Sequence, residues 1–278
     1  MCKVLGVAKS GYYAWLNRPK SKQKQRKEKL TGQIKRVHLA SRRNYGSPKI
    51  TKQLHAEGIA VSQKTVARIM QEEGIRSKTV KKYKATTNSK HHLPVYPNLV
   101  DQQFKVEQPG QVWAADITYI WTSEGWLYLA TIMELFSRRI IGWAIMGERM
   151  TKELVILALK RAIQTQPPSP SLIHHSDRGS QYASNEYQQI LRDNKIITSM
   201  SRKGNCYDNA CIESFHSVIK KELIFHEKYK TREQAKKSIV EYIVSFYNYK
   251  RIHSYTNYMS PIAYERKYFE ALQKTKDV

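Results

Sequence analysis

The segment Val112-Trp113-Ala114-Ala115-Asp116-Ile117-Thr118-Tyr119-Ile120-Trp121 decides the fold class of this chain. Both alternating faces of the segment are largely apolar, which is the pattern of a strand covered on both sides of its sheet. Strands of this kind are typical of α/β proteins, in which helices cover the two faces of the sheet. The segment has one acid, Asp116, and a lone acid in such surroundings needs a partner.

Two further acids stand in patterns that predict defined positions in such a fold. Asp177 follows the short stretch 171–176 and precedes the turn-forming Arg178-Gly179-Ser180, so we expect its carboxylate at the carboxyl end of a strand. Glu213 lies in a segment with apolar residues at helical spacing, namely Ile212, Phe215, Ile219 and Leu223. A helix is therefore predicted to carry the third acid, with 35 residues between it and Asp177.

Three acids held together without basic partners would each resist ionising unless a cation lay between them. Mg²⁺ prefers oxygen ligands and keeps open positions for water and phosphate, and Mn²⁺ suits the same ligands. Two such ions about 3.5–4 Å apart stabilise the attacking and leaving oxygens of a displacement at phosphorus. From spacing alone, a strand-end Asp or helical Glu that meets only solvent or a salt bridge is the commoner case.

Five blocks of the sequence carry a specific family resemblance. They are Trp113–Tyr119, Leu135–Trp143, His175–Tyr182, Ser201–Ala210 with Glu213-Ser214-Phe215, and Tyr247–Ser254 with Met259-Ser260-Pro261. In these blocks the chain resembles the downstream-frame (OrfB-type) proteins of bacterial insertion-sequence transposases, which are made by ribosomal frameshifting and have a core related to retroviral integrases. The resemblance runs from the first residues to about Tyr264.

The resemblance implies a ribonuclease H-like integrase core with Asp116, Asp177 and Glu213 as its catalytic and metal-binding triad, holding two Mg²⁺ or Mn²⁺ ions. It also implies a basic residue seven after the Glu, here Lys220, which shares a helix face with Glu213 and would hold a phosphate. Two departures from the family pattern are Glu134, where Asp is usual, and Ala115, where a hydroxylated residue is common. Predicted DNA contacts in the fourth block are Arg202 and Lys203.

We expect four regions along the chain. Residues 1–76 are predicted to form a helical helix-turn-helix region, 77–111 a basic linker, 112–225 the catalytic core and 226–278 a helical extension packed on that core. Within the core, strands are expected at about 112–121, 126–134 and 138–146, followed by a helix at 152–165. A further amphipathic helix is expected at 232–246.

The amino-terminal region has the pattern of a helix-turn-helix. A short helix is predicted at 48–54 and a second, capped by Ser62, at 63–73, with Gly74 ending it. Lys64 and Arg68 are four residues apart on the outward face, where they can enter a major groove or contact phosphates. A small helical bundle with a solvated basic face, or one that mediates protein contacts, remains the alternative. The charge run 20–29 is interpreted as a solvated helix end.

The charge of the chain predicts an anionic polymer as its partner. The net charge is +25, and residues 1–100 hold 23 Lys or Arg against 4 Asp or Glu, whereas residues 101–278 hold 25 against 19. Double-stranded DNA is the expected ligand, because contacts of Lys and Arg with phosphates release counterions. No apolar run of membrane-spanning length and no signal peptide are seen, so we expect no membrane partner and a cytoplasmic, nucleoid-associated protein.

Several polar residues have no role that the sequence alone can fix. Cys206, Cys211 and His216 lack the spacing of a zinc site. His174 and His175 would point to opposite faces of a strand, so at most one can approach Asp177 to carry a proton or contact phosphate; ordinary packing is the commoner role. Three residues near the carboxyl terminus either contact DNA or complete the core: Asn248, Arg251 and His253.

The sequence thus predicts a transposase that binds the terminal inverted repeats of its element, nicks DNA and transfers the new 3′-hydroxyl to another phosphodiester. Two alternatives remain open: a nuclease of the same fold that does not transfer strands, and a non-catalytic DNA-binding regulator. The expected partners are repeat and target DNA, further copies of the chain on DNA, and an upstream-frame protein that frameshifting would fuse to it.

Overall fold

The computed structural model describes residues 2, 4–78, 93–147 and 150–276. The chain forms two compact units, Met1–Ser77 and Lys78–Val278. Residues 79–92 of the predicted linker lie outside the described residues. In the described part of the chain no helix is both long and apolar enough to cross a membrane.

The amino-terminal unit is a bundle of helices. They are α2 (Lys22–Ala40), α3 (Ser47–Ala56) and α4 (Gln63–Glu72), preceded by α1 (Lys9–Leu16), which has no buried residue. The side chain of Ser62 accepts a hydrogen bond from the backbone N–H of Thr65 and so caps α4. Buried apolar side chains from α3 and α4 form the centre of the unit, namely Ile50, Leu54, Val66, Ile69 and Met70. The predicted helix-turn-helix is present, one to two residues longer at the ends of its first helix.

Helix α2 extends well beyond the predicted charge run. Leu30, Ile34 and Val37 recur at helical spacing and are buried. The helix thus supplies a third wall of the small core, whereas the basic residues before Leu30 stay exposed. The interpretation of residues 20–29 as only a solvated end was incomplete, because the apolar stripe begins where the charge run stops.

The second unit is built on a five-stranded sheet with the order β3-β2-β1-β4-β5. Its strands are β1 (Val112–Thr122), β2 (Gly125–Glu134), β3 (Ile140–Gly147), β4 (Ile173–Ser176) and β5 (Ile197–Met200). The first three strands form an antiparallel meander, and β4 and β5 add parallel to β1 and β4. Because β4 pairs only with residues 112–115, the pairing on that side of β1 stops one residue before Asp116.

Helices cover both faces of this sheet and enclose two apolar clusters. One face packs against α7 (Ala210–Glu222), α8 (Arg232–Glu241) and a π-helical segment (Tyr242–Tyr247), and the other against α5 (Lys152–Thr165) and α6 (Asn185–Asp193). Short 3-10 helices at Cys206–Asn209 and Ile224–His226 flank α7, and α9 (Pro261–Lys276) ends the unit. This three-layer arrangement gives β1 the two covered faces that its sequence predicts.

The structure departs from the expected elements in two places. Strand β5 and helix α6 were not predicted; each is short, and the Thr198-Ser199 pair in β5 gives no apolar alternation. The helix expected at 232–246 changes at Tyr242 into π-helix, where the backbone N–H of Asn248 donates to the carbonyl of Ile243.

Residues after the π-helical segment complete the core. The side-chain amide of Asn248 donates to the carbonyl of Ile140 and accepts from its N–H, so it pairs with the start of β3. The guanidinium of Arg251 binds Glu222, with a closest distance of 2.7 Å, and also lies 3.0 Å from a ring nitrogen of His253. Asn248 and Arg251 thus stabilise the fold of this unit, and His253 lies beside Arg251.

Residues that precede β1 also belong to this unit. The backbone N–H of Met200 donates to the carbonyl of Pro97, and that of Leu99 donates to the hydroxyl of Ser199. Val100 is buried in the apolar cluster beneath α7. Part of the segment expected to be a linker is thus held against the end of β5.

Candidate active site

The three acids of the predicted triad come from three elements that meet near the carboxyl end of β4. Asp116 lies in the middle of β1, just past the last residue paired with β4, and Asp177 directly follows β4. Glu213 lies in the first turn of α7, which crosses the sheet beside β1. Asp116 and Asp177 are half-buried and Glu213 is exposed, so the group is open to solvent on one side.

A hydrogen-bonded brace fixes the start of α7. The side-chain amide of Asn209, which precedes the helix, donates to the backbone carbonyl of Ala115 at 3.1 Å. Its neighbour Asp208 is fully buried and accepts two hydrogen bonds from the guanidinium of Arg202, at 2.7 and 2.9 Å. Since Ala115 adjoins Asp116, this brace sets the position of Glu213 relative to the first acid.

Arg202 and Lys203, both predicted DNA contacts, have different surroundings. Arg202 is about half exposed and binds Asp101 as well as Asp208, so its charge already serves the fold. These bonds lower the pKa of Asp208 below its ordinary range. Lys203 is exposed next to it.

Asp116 is oriented by two hydrogen bonds. Its Oδ1 accepts from the backbone N–H of Ile117 at 2.8 Å, and its Oδ2 lies 3.2 Å from Nδ1 of His216. The other ring nitrogen of His216 lies 2.8 Å from the hydroxyl of Thr131, which is opposite Asp116 on β2. His216 is buried and comes three residues after Glu213, so the same helix face supplies an acid and the residue that orients another acid.

Asp177 is held by the turn that follows it. The backbone N–H of Gly179 donates to Oδ1 of Asp177 at 2.9 Å. A Cβ atom at position 179 would lie 2.9 Å from that oxygen and 3.0 Å from Oε1 of Gln181. A larger residue here would therefore have to displace the carboxylate of Asp177 or the amide of Gln181, and the φ angle of Gly179 is not positive.

The acids influence one another electrostatically. Desolvation raises the pKa of Asp177 to about 7, with added contributions from the negative charges of Asp116 and Glu213. Desolvation and the charge of Asp116 also raise the pKa of Glu213. Upward shifts of this kind arise when carboxylates share a site without enough positive charge, and a bound cation would reverse them.

The donor set suits a hard divalent cation in kind and charge. All three side chains offer carboxylate oxygens, which Mg²⁺ and Mn²⁺ prefer. Among the described residues, no three His, Cys, Asp or Glu side chains converge closely enough to hold one ion together. An arrangement in which pairs of carboxylates share an ion with water and phosphate is compatible with this spacing.

Lys220 lies near this group, on the helix that carries Glu213. Its ammonium is 4.7 Å from the centre of the Tyr119 ring, and its side chain is buried. Burial lowers the pKa of Lys220, and the charge of Asp116 acts in the opposite direction. In the amino-terminal unit, Lys64 and Arg68 are both exposed on α4.

His174 and His175 point to opposite sides of β4, and both are buried. His174 Nε2 lies 2.9 Å from the hydroxyl of Tyr187, and the ring of His175 lies between the hydroxyls of Ser199 and Ser201. Burial lowers the pKa of His174 to about 3 and that of His175 to about 4. Both rings are therefore neutral near pH 7 and have the surroundings of packed core residues.

Three protein-family descriptions match the chain. Residues 25–83 match an HTH-like domain, and residues 106–206 and 213–269 match two integrase core domain families. The chain is 47% identical over 270 residues to the insertion element IS600 uncharacterized 31 kDa protein of Shigella sonnei, covering 97% of this chain and 99% of that protein. It is 40% identical over 269 residues to transposase InsF for insertion sequence IS3A of Escherichia coli (strain K12), covering 96% and 93%.

Solved structures with a similar fold are more distant. The simian T-cell lymphotropic virus intasome in complex with PP2A regulatory subunit B56 gamma is 17% identical, with a TM-score of 0.48, over 84% of this chain and 74% of that one. The HTLV-2 integrase catalytic core domain in complex with magnesium (trimeric form) is 15% identical, with a TM-score of 0.44, over 57% and 97%.

The fold and the family matches define a polynucleotidyl transferase of the DDE type, with an α/β integrase core preceded by a helix-turn-helix region. The chain belongs to the family of IS3 insertion-sequence transposases. It is a DNA transposase, and the resemblance inferred from its five sequence blocks is confirmed. DNA is therefore its ligand.

Proposed function

We propose that Asp116, Asp177 and Glu213 are the catalytic carboxylates of this transposase and that they hold two divalent ions, Mg²⁺ or Mn²⁺. The observation that carries the proposal is electrostatic: desolvation and, after it, the charge of Asp116 raise the pKa of both other acids. The buried Asp208 of the second unit is paired with Arg202, whereas Asp177 is under the influence of the negative charges of Asp116 and Glu213. Such a group has a high affinity for positive charge.

The residues around the acids have distinct tasks in this proposal. His216 and the backbone of Ile117 hold the Asp116 carboxylate, and the N–H of Gly179 holds that of Asp177. When bound, the ions would polarise the phosphate and activate water or a 3′-hydroxyl for in-line attack. The ammonium of Lys220 would bind a phosphate oxygen beside Asp116. The open side of the group gives DNA its access.

DNA binding is divided between the regions in the same proposal. Residues 1–76 bind the terminal inverted repeats through the exposed Lys64 and Arg68, and Arg202 and Lys203 contact DNA near the core. Residues 77–111 connect this region to the core at 112–225, and residues 226–278 support that core. Several copies of the chain act together on DNA in the cytoplasm, in association with the nucleoid. Ribosomal frameshifting fuses an upstream-frame protein to the chain.

The test combines the purified chain, a labelled inverted-repeat end and supercoiled plasmid with Mg²⁺ or Mn²⁺, and resolves the products on a denaturing gel. We expect nicked and joined products with the native chain and neither with Glu213→Gln. The matched control is Glu227→Gln, which removes one exposed acid beyond α7 and is expected to leave both products unchanged.

The product pattern distinguishes the remaining functions. Nicks without joined products would favour a hydrolytic nuclease over the strand transferase proposed here. Products that persist in Glu213→Gln would contradict the assignment of Glu213. Binding without any product, also after addition of the upstream-frame protein, would favour a DNA-binding regulator.

A further inference from the structure

A group of aromatic side chains lies at the far end of the β1–β2 hairpin. Trp121 and Trp126 are directly opposite each other in the strand register, with ring centres 4.9 Å apart. The Tyr119 ring is perpendicular to that of Trp126 at 5.1 Å. Trp121 is 60% exposed and Trp126 is 43% exposed, although side chains of this size are normally much more buried. We call these three residues the aromatic platform.

The hairpin end has other contacts that hold it in place. The N–H of Ser123 donates to the carbonyl of Tyr229 at 3.0 Å, and Glu124 accepts from the N–H of Arg232 at 2.7 Å. Within the turn, the buried hydroxyl of Thr122 donates to the carbonyl of Gly125. Because these bonds fix the turn, the rings of the platform are presented on a rigid support.

The platform is linked to the catalytic group through Lys220, although the odd spacing of Tyr119 and Trp121 from Asp116 places their side chains on the opposite face of β1. The ammonium of Lys220 lies over the Tyr119 ring and is influenced by the charge of Asp116. Tyr119 and Trp121 are three and five residues beyond Asp116 on one strand, or about 10 and 17 Å at the usual rise per residue. At the rise of a duplex strand, about 3.4 Å per nucleotide, those distances correspond to at most roughly three to five nucleotides, and an extended unpaired strand spans them with fewer.

We propose that the aromatic platform stacks unpaired DNA bases that lie a few nucleotides from the phosphate at the catalytic carboxylates. The exposed rings of Trp121 and Trp126 match the bases of a nucleic acid strand, which stack on aromatic faces, and the Lys220 ammonium over the Tyr119 ring supplies positive charge nearby from a largely buried side chain. The ligand is an unpaired segment, because bases inside a duplex are stacked on one another and show only their edges in the grooves. The inference deepens the proposed function, since it rests on the position of the carboxylates given there.

The experiment measures binding and needs no catalysis. The full chain carrying Glu213→Gln is titrated, without divalent ions, into a blunt duplex and into the same duplex with a single-stranded tail that contains 2-aminopurine. We expect tighter binding of the tailed DNA and quenched 2-aminopurine fluorescence. Trp121→Ala with Trp126→Ala should reduce the affinity for the tail by about tenfold or more and restore the fluorescence, with the blunt duplex unaffected.

Two control variants separate stacking from folding. Trp121→Phe with Trp126→Phe keeps aromatic faces and should retain most of the preference for the tail. Phe269→Ala removes an aromatic ring of similar exposure on α9, and it should change nothing. Three outcomes would overturn the role of the platform. The native chain could bind both DNAs with equal affinity, the double alanine variant could keep the preference for the tail, or that variant could bind both DNAs more weakly by the same factor. Products that persist in Glu213→Gln in the earlier experiment would instead count against the carboxylates.

Discussion

The acids of the catalytic unit occur in two kinds of surroundings. Asp208 and Glu222 face the guanidinium groups of Arg202 and Arg251, and the pKa of Asp208 is lowered. Asp177 faces other acids, and its pKa is raised to about 7. A carboxylate paired with an arginine stabilises the fold by itself. A carboxylate beside other carboxylates destabilises the fold until a cation binds.

A raised pKa alone does not mark an acid available for chemistry, because burial also raises the pKa of Glu134 to about 7 while that carboxylate accepts hydrogen bonds from Ser137. What sets Asp177 apart is the negative charge of the neighbouring Asp116 and Glu213.

The largest expected effect comes from breaking the Arg251–Glu222 pair. Both side chains are almost fully buried, and the hydroxyl of Tyr242 also donates to Glu222 at 2.7 Å. Arg251→Ala would leave a buried carboxylate unpaired and should reduce the free energy of unfolding by about 3–5 kcal/mol, measured by urea denaturation. Lys250→Ala, at an exposed neighbour, should change it by less than about 0.5 kcal/mol. A similar loss in both variants would refute the structural role of the pair.

Removing an acid from the catalytic group should lower DNA cleavage without lowering the stability of the fold. We expect Asp177→Asn to lower DNA cleavage by at least about a hundredfold, since even outer contacts of metal ligands are worth about 10–100-fold. The metal-free variant should unfold at the same or a higher temperature than the native chain, because a repulsive charge is gone. Gel assays of cleavage and thermal denaturation in EDTA measure the two effects. A destabilised variant would place Asp177 among the structural acids.

A smaller effect is expected from Gly179→Ala, which keeps every acid. The new methyl group would meet Oδ1 of Asp177 and Oε1 of Gln181 within about 3 Å and would turn the carboxylate. Cleavage should fall by roughly 10–100-fold with the repeat still bound. Ser180→Ala, at the exposed next residue, should retain full cleavage in the same gel assay. Full activity of the glycine variant would show that the orientation of Asp177 is not critical.

The smallest expected effect is on the pH dependence of the free energy of unfolding. The raised pKa of Asp177 stabilises the metal-free fold fully below about pH 4, and this contribution is lost as the pH rises to about 7. The lowered pKa of Asp208 gives a contribution that is present above about pH 4 and is lost in acid. Between pH 4 and 7 the stability of Asp177→Asn relative to the native chain should therefore rise, by at most about 1.4 kcal/mol per pH unit.

The controls for this titration use the other acid and a cation. Relative to the native chain, Asp208→Asn should lose stability above about pH 4 and show no rising trend up to pH 7. Added Mg²⁺ should reduce the pH-dependent difference between the native chain and Asp177→Asn. Stability is measured by urea denaturation in EDTA at each pH. If the stability of both variants relative to the native chain changed with pH in the same way, Asp177 and Asp208 would not be different kinds of acid.

The sequence predicted those parts of the fold whose signal is local. Strand β1 and helix α5 lie where their strong apolar patterns predict them. Strand β5 was missed because four residues with Thr198 and Ser199 in the middle show no pattern, and only pairing with β4 makes them a strand. Long-range contacts of this kind cannot be inferred from spacing.

The residues of the candidate site also divide into those that the sequence predicted and those whose contacts it could not show. The triad was accessible through the family resemblance, and its residues remain a proposal. The contact of His216 with Asp116 joins residues 100 positions apart and was missed, although the spacing of His216 from Glu213 placed both near one helix face. The predicted DNA contact of Arg202 stays a prediction, and nothing in its basic block showed that its guanidinium would also bind the buried Asp208.

The π-helical turn at Tyr242–Tyr247 has a consequence for how this sequence can vary during evolution. It holds one residue more than an α-helix would, and the chain after it delivers Asn248 to Ile140 and Arg251 to Glu222. Deleting a single residue there would restore the α-helical register and rotate both side chains by about 100° around the axis. Lineages of this transposase should therefore accept substitutions in this turn far more readily than changes in its length.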